Sequence, residues 1–180
     1  MERHGPWVIK TREEKYNSEF LKLREDRVTK PDGRSGTYAT VTLKPGVAVL
    51  PLDSEGQVHL TRQYRYAVGR DTVEVPSGTL EAGEDPLTAA KREILEELGI
   101  EADDWRELGC VDLDTSIVRC SVSLFVAREL RFIEPDQDPA EVIRPLTVPF
   151  STAVDMVMNG EITHAPSCVL MLKAETPHVR

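Results

Sequence analysis

The chain has 180 residues, with 22 Lys and Arg against 31 Asp and Glu, a formal net charge of −9 at pH 7. Surplus negative charge excludes a general affinity for nucleic-acid backbones and anionic lipid surfaces, both polyanions, while 40% hydrophobic and 29% charged residues exclude bulk disorder. Cys110, Cys120 and Cys168 are too few and too scattered for a disulfide framework or a zinc site, and buried reduced thiols are expected.

The first half of the chain reads as strands. Phe20, Leu21 and Leu23 lie in a mixed polar segment that ends at the turn signal Pro31-Asp32-Gly33. The β-branched run 37–43 reads as the returning strand. Residues 46–52 form an apolar run, as in a strand buried on both faces. After the polar turn 53–56, residues 58–65 resume as a strand. This places an antiparallel β layer, residues 1–43, ahead of a main domain at 44–180.

A helix is predicted after Asp85-Pro86. Asp85 supplies a capping carboxylate, and Pro86 suits the first turn, where its missing N–H has no intrahelical partner. Leu87, Ala90, Ile94 and Leu98 recur on one stripe, and Gly99 suits a left-handed C-terminal cap. Further strands are predicted at 107–114 and 118–126, a second helix at 152–158 with Ser151 as its cap and Gly160 as its stop, and a third from Pro166 to about Ala174. That order predicts a mixed sheet covered by helices, an α/β fold. The apolar runs fall far below the roughly 20 residues of a membrane helix. Residues 1–10 lack the apolar core of a secretory signal, so a soluble, cytoplasmic protein is expected.

The chemistry concentrates on the first helix. Glu93 and Glu97 sit one turn apart on one face, with Glu96 flanking them. Ala89 lies on that face one turn earlier and leaves room above the carboxylates, and Arg92 is placed to brace Glu96. Like charges at this spacing repel by about 0.2–0.5 kcal/mol per pair, so the face is either solvated or holds a cation.

Gly78 stands six residues before Glu84, and Glu84 eight before Arg92. The run from Gly78 through Glu84, Arg92-Glu93, Glu96-Glu97 and Gly99-Ile100 fits the pattern G-x5-E-x7-R-E-U-x-E-E-x-G-U at every defined position, U being a bulky aliphatic. On these residues the chain resembles the Nudix hydrolases. Arg62-Gln63-Tyr64-Arg65, Glu74-Val75-Pro76-Ser77-Gly78 and the run 160–167 resemble segments of the ADP-ribose pyrophosphatase group. Ser77 departs mildly from that group's alanine. Its proline beyond the box has no counterpart in 112–117, which widens the expected substrates to other nucleoside diphosphate sugars, such as GDP-mannose.

The resemblance implies an α/β/α Nudix sandwich with a mixed β-sheet, an N-terminal antiparallel β layer that helps a homodimer form, and hydrolysis of a nucleoside diphosphate sugar to a nucleoside monophosphate and a sugar phosphate. It implies Mg²⁺, for which Mn²⁺ substitutes, on Glu93, Glu97, Glu96, Glu84 and the Ser77 carbonyl. Hard carboxylate oxygens suit that ion, and Gly78 permits close backbone approach. Glu141 is the favoured general base, with Glu134, Asp136, Asp138 and Glu97 as the other candidates. Arg92 orients a glutamate. Arg65, rather than Arg62, is expected on the substrate phosphates, with Tyr64 and Gly78 beside it. No nucleic-acid or membrane partner is expected. The alternatives are a housecleaning enzyme for nucleoside triphosphates or dinucleoside polyphosphates, and a non-catalytic Nudix module that binds a nucleotide and regulates a partner.

Overall fold

The computed structural model describes residues 1–135 and 142–176. They fall into two compact units, Met1–Pro45 with Asp112–Ser121, and Gly46–Val111 with the residues from Val122 onward.

The first unit is a five-stranded sheet in the order β1 (Glu2–His4), β2 (Trp7–Asn17), β3 (Leu21–Thr29), β4 (Ser35–Leu43) and β10 (Val118–Arg119). Its first four strands pair antiparallel, and β10 joins β4 in parallel. The β2 strand carries almost no apolar signal beyond Trp7-Val8-Ile9. It is held by the ladder and by cross-strand charge pairs such as Arg12–Glu2 at 2.6 Å and Lys15–Glu25 at 3.5 Å.

The second unit holds two sheets. One runs β8 (Ser77–Thr79), β5 (Gly46–Pro51), β11 (Ser121–Phe132) and β9 (Ile100–Asp112), with β5 antiparallel to β8 and parallel to β11. The other runs β12 (Arg144–Pro149), β6 (Gln57–Arg65) and β7 (Arg70–Glu74), antiparallel throughout. Three helices occur among the described residues: α1 (Pro86–Leu98), α2 (Phe150–Met158) and α3 (Ala165–Ala174). Every residue of β5 is buried. Val47 and Val49 meet Ala89, Ala90 and Ile94 of α1. Ala48 and Leu50 alternate to the opposite face, and α3 packs on the same strand. This is the mixed α/β architecture of curled mixed sheets and covering helices that the sequence predicts. No helix among the described residues is long and apolar enough to cross a membrane.

Three local expectations are corrected. The strand expected at 118–126 is two strands, because the chain leaves β4 after Arg119 and pairs with β5 from Val122. Buried Cys120 marks the break, with its thiol donating to Lys44 O at 3.2 Å. The strand expected at 107–114 begins at Ile100, because Gly99 turns the chain directly out of α1, while Asp103-Asp104 interrupts the alternation that would have revealed it. Ser151 is not a cap: α2 begins at Phe150 straight from the end of β12, and Phe150 N–H bonds Gly56 O at 2.9 Å.

Candidate functional site

The helix α1 forms as its sequence dictates. Asp85 accepts the N–H groups of Leu87 and Thr88, both at 3.1 Å, and so satisfies two of the orphan donors of the first turn. At the other end Gly99 adopts φ 63°. A Cβ there would also stand 2.2 Å from the carbonyl oxygen of Ile133, so only glycine fits.

Glu93 and Glu97 are 8% and 6% exposed, as buried as much of the apolar stripe, and Ala89 beside them is fully buried. The acidic face is therefore not a solvated one at these two positions. Buried carboxylates demand compensating charge, and Arg92 supplies it to Glu93. Its Nε and Nη2 fork onto Glu84, both at 3.0 Å, Nη1 reaches Glu93 Oε1 at 2.8 Å and Glu96 Oε2 at 3.1 Å, and Nη2 also bonds Thr79 O at 3.1 Å. All five guanidinium donors are engaged. The bonds to Glu84, then the charge of Glu93, hold Arg92 above its ordinary range, and the same Arg92 bonds hold Glu84 below its own. Arg92 thus ties three carboxylates and one backbone carbonyl together.

Gly78 lies directly beneath Glu93. A Cβ built on it would stand 1.9 Å from Glu93 Oε1 and 2.3 Å from Oε2. The preceding residue, Ser77, pairs with Ala48, so β8 presents its backbone beside this carboxylate from the edge of the sheet. The structure thereby brings together Gly78, Glu84, Arg92, Glu93 and Glu96, with Glu97 one turn along the same helix. Among the described residues no three His, Cys, Asp or Glu side chains converge as a ready metal cage; Glu84, Glu93 and Glu96 share Arg92 instead.

Arg65 is not part of that group. It forks onto buried Glu74, with Nε to Oε1 at 3.2 Å and Nη2 to Oε2 at 2.7 Å. Thr72 Oγ1 donates to Glu74 Oε1 at 2.6 Å, and His164 Nδ1 lies 3.6 Å from Oε2. Burial pushes the Glu74 carboxyl up, but Arg65, His164 and Thr72 together pull it below its ordinary value. Burial likewise lowers His164, against the upward pull of Glu74. Tyr64 stands exposed next to Arg65.

Of the general-base candidates, Glu134 is exposed, whereas Asp136, Asp138 and Glu141 lie outside the described residues. Trp105, partly buried, packs edge-on against Phe125 and donates its indole N–H to Ala102 O at 2.9 Å. The sequence reading missed the cluster of Glu74, His164 and Ser167. Its residues lie in the segments 74–78 and 160–167 that the sequence singles out, but nothing in either segment reveals that the two meet.

Residues 42–160 match the model of the NUDIX domain. The chain is 35% identical over 148 residues to an ADP-ribose pyrophosphatase of Mycobacterium tuberculosis, covering 79% of this chain and 70% of that one. It is 28% identical over 156 residues to an ADP-ribose pyrophosphatase of Bacillus subtilis, covering 86% and 84%. It is 33% identical over 123 residues to a methanol dehydrogenase activator of Bacillus methanolicus, covering 68% and 66%. Nudix hydrolases generally use a divalent metal ion. The donors gathered here fit one: two buried carboxylates a helical turn apart, and a strand-edge carbonyl next to the glycine on which Glu93 is seated. With its complete box folded onto one helix and its neighbouring turn, this chain belongs to the Nudix family, as a pyrophosphohydrolase of the ADP-ribose pyrophosphatase-like group.

Proposed function

We propose that this chain hydrolyses the diphosphate linkage of a nucleoside diphosphate sugar, ADP-ribose or a relative such as GDP-mannose, with Mg²⁺ as its ion and Mn²⁺ as a substitute. The observation that carries the reading is Glu93 seated on Gly78, with all of Arg92's donors spent on holding the neighbouring acids and backbone. A buried acidic face of this kind accepts an anionic diphosphate only when a cation neutralises both.

Glu93, Glu97 and the Ser77 carbonyl are the donors assigned to the ion, with Glu96 and Glu84 behind them. When bound, the ion polarises the phosphoryl oxygens and lowers the pKa of a bound water. Glu97 or Glu141 takes the proton of the attacking water. The water oxygen joins one phosphorus in line, the bond from that phosphorus to the bridging oxygen breaks, and a nucleoside monophosphate and a sugar phosphate leave. Tyr64 and Arg65 are assigned to the nucleotide sugar, which requires the Arg65 fork on Glu74 to open or to share its guanidinium. The layer at residues 1–43 is assigned to homodimer formation, and the protein to the cytoplasm.

The test is turnover of ADP-ribose and of GDP-mannose, with Mg²⁺ and with a chelator. Monophosphate released from either, and abolished by chelation, supports the reading. Faster turnover of nucleoside triphosphates or dinucleoside polyphosphates would move it to the housecleaning alternative. Nucleotide binding without product over hours would move it to a regulator, a role that the name of the B. methanolicus relative keeps in view.

A further inference from the structure

The chain changes sheets between Glu74 and Ser77. The β7 strand ends its pairing with β6 at Glu74, opposite Thr61, and β8 begins its pairing with β5 at Ser77, opposite Ala48. Val75 falls between the two registers and is fully buried. Pro76 has no N–H, and its carbonyl accepts Val49 N–H at 2.9 Å. A buried backbone donor at such a crossing needs a partner. Val75 N–H finds it 92 residues along the chain, in Ser167 Oγ at 3.0 Å.

Ser167 is fully buried in the first turn of α3. Having accepted from Val75, its hydroxyl has one proton to give, and His164 Nδ1 is 2.8 Å away. His164 occupies the capping position of α3 yet makes no capping bond, so its side chain serves Ser167 instead. Three residues beyond Val75, Gly78 lies so close beneath Glu93 that no side chain fits between them. A shift of a few tenths of an ångström in 75–78 is therefore felt at that carboxylate.

We propose that Ser167, braced by His164, is a positioning residue for the Glu93 site: it holds 75–78 so that the Ser77 carbonyl and Gly78 stay seated against Glu93. The proposal rests on the reading of that face as a cation site. It makes α3 part of the catalytic apparatus without contact to substrate.

The experiment measures Mn²⁺ binding to the whole chain by electron paramagnetic resonance, together with kcat, KM and the Mg²⁺ concentration giving half-maximal rate. Ser167→Ala is expected to weaken Mn²⁺ binding at least fivefold and raise the Mg²⁺ midpoint in step. It also lowers kcat about tenfold, with KM for the nucleotide sugar within twofold. Ser167→Thr, which keeps the hydroxyl, retains Mn²⁺ binding within twofold. Ile162→Val removes a buried methyl outside this chain of bonds and leaves the Mn²⁺ affinity unchanged. Wild-type Mn²⁺ affinity in Ser167→Ala, or an equal loss in Ile162→Val, overturns the proposal. Should Ser167→Ala fail to fold, His164→Ala carries the test: threefold weaker Mn²⁺ binding supports the proposal, and unchanged binding overturns it. A wild type that binds Mn²⁺ but cleaves no nucleotide sugar removes the assigned reaction, while the Mn²⁺ comparison still decides the positioning role. A wild type that binds no Mn²⁺ overturns both.

Discussion

The carboxylate of Glu93 fills the volume that any side chain on residue 78 would need: a Cβ there would lie 1.9 Å from Oε1 and 2.1 Å from Cδ. The clash is with the tip of a side chain, so it is relieved by moving Glu93. That movement breaks the 2.8 Å bond to Arg92 and takes the carboxylate away from β8.

Gly78→Ala is therefore expected to damage activity far more than stability. Overpacking of this size costs roughly 1–3 kcal/mol, a melting temperature lower by several degrees, whereas kcat should fall by at least a hundredfold. Calorimetry and a product assay on the same preparation check both numbers. An alanine variant with wild-type kcat contradicts the cradle.

Arg92→Lys keeps the charge but replaces a five-donor fork with three donors on a flexible stem. It cannot fork onto Glu84 while also holding Glu93, Glu96 and Thr79 O. Loss of charge-assisted hydrogen bonds at a largely buried site predicts about 2 kcal/mol of destabilisation. It also predicts a ten- to hundredfold lower kcat, with KM less affected because the Arg92 donors are all taken by carboxylates and the Thr79 carbonyl. A variant whose KM rises while kcat holds would instead make Arg92 a substrate contact.

The cluster around Glu74 gives stability a defined pH dependence. Burial raises Glu74, but Arg65, His164 and Thr72 outweigh it, so its folded pKa lies below its unfolded one. That contribution is complete above the unfolded value of about 4.3 and is lost as pH falls through the lower folded value. Burial lowers His164 despite the upward pull of Glu74, so its folded pKa lies below its unfolded one. Its contribution is complete above the unfolded value of about 6.5 and is lost as pH falls from there toward the folded one. Both act in one sense, so acid destabilises in two stages. Melting temperatures across this range, for the wild type and His164→Asn, check the upper stage. The variant should lose the decline that begins below about pH 6.5, and an unchanged decline would place that titration elsewhere.

How much of this was legible depended on range. The helix α1 was readable because its signals are local: Asp85-Pro86 to start it, Gly99 to stop it, and an apolar stripe between. Glu93, Glu96, Glu97 and Arg92 were readable as one face for the same reason. The burial of Glu93 was not, because it depends on Gly78 of β8, a strand whose three residues carry no periodicity. The β2 strand was hidden by its charges, several of which find their partners on the neighbouring strands. Arg65 reads as an anion clamp when its own strand is considered alone. Its partner Glu74 is nine residues on, on the far side of the β6–β7 turn. Ser167 meets Val75 across 92 residues, and no local pattern encodes such a contact.

If the buried glutamates of α1 hold the cation for hydrolysis, their charge matters more than their shape. Single-turnover rates of Glu93→Gln and Glu97→Gln at saturating Mg²⁺, with the fold verified by circular dichroism, separate the two. Each substitution, which keeps the shape and removes the charge, is expected to lower the rate by at least a hundredfold while the spectrum stays native. Native spectra with near-normal rates in both variants would contradict the cation site.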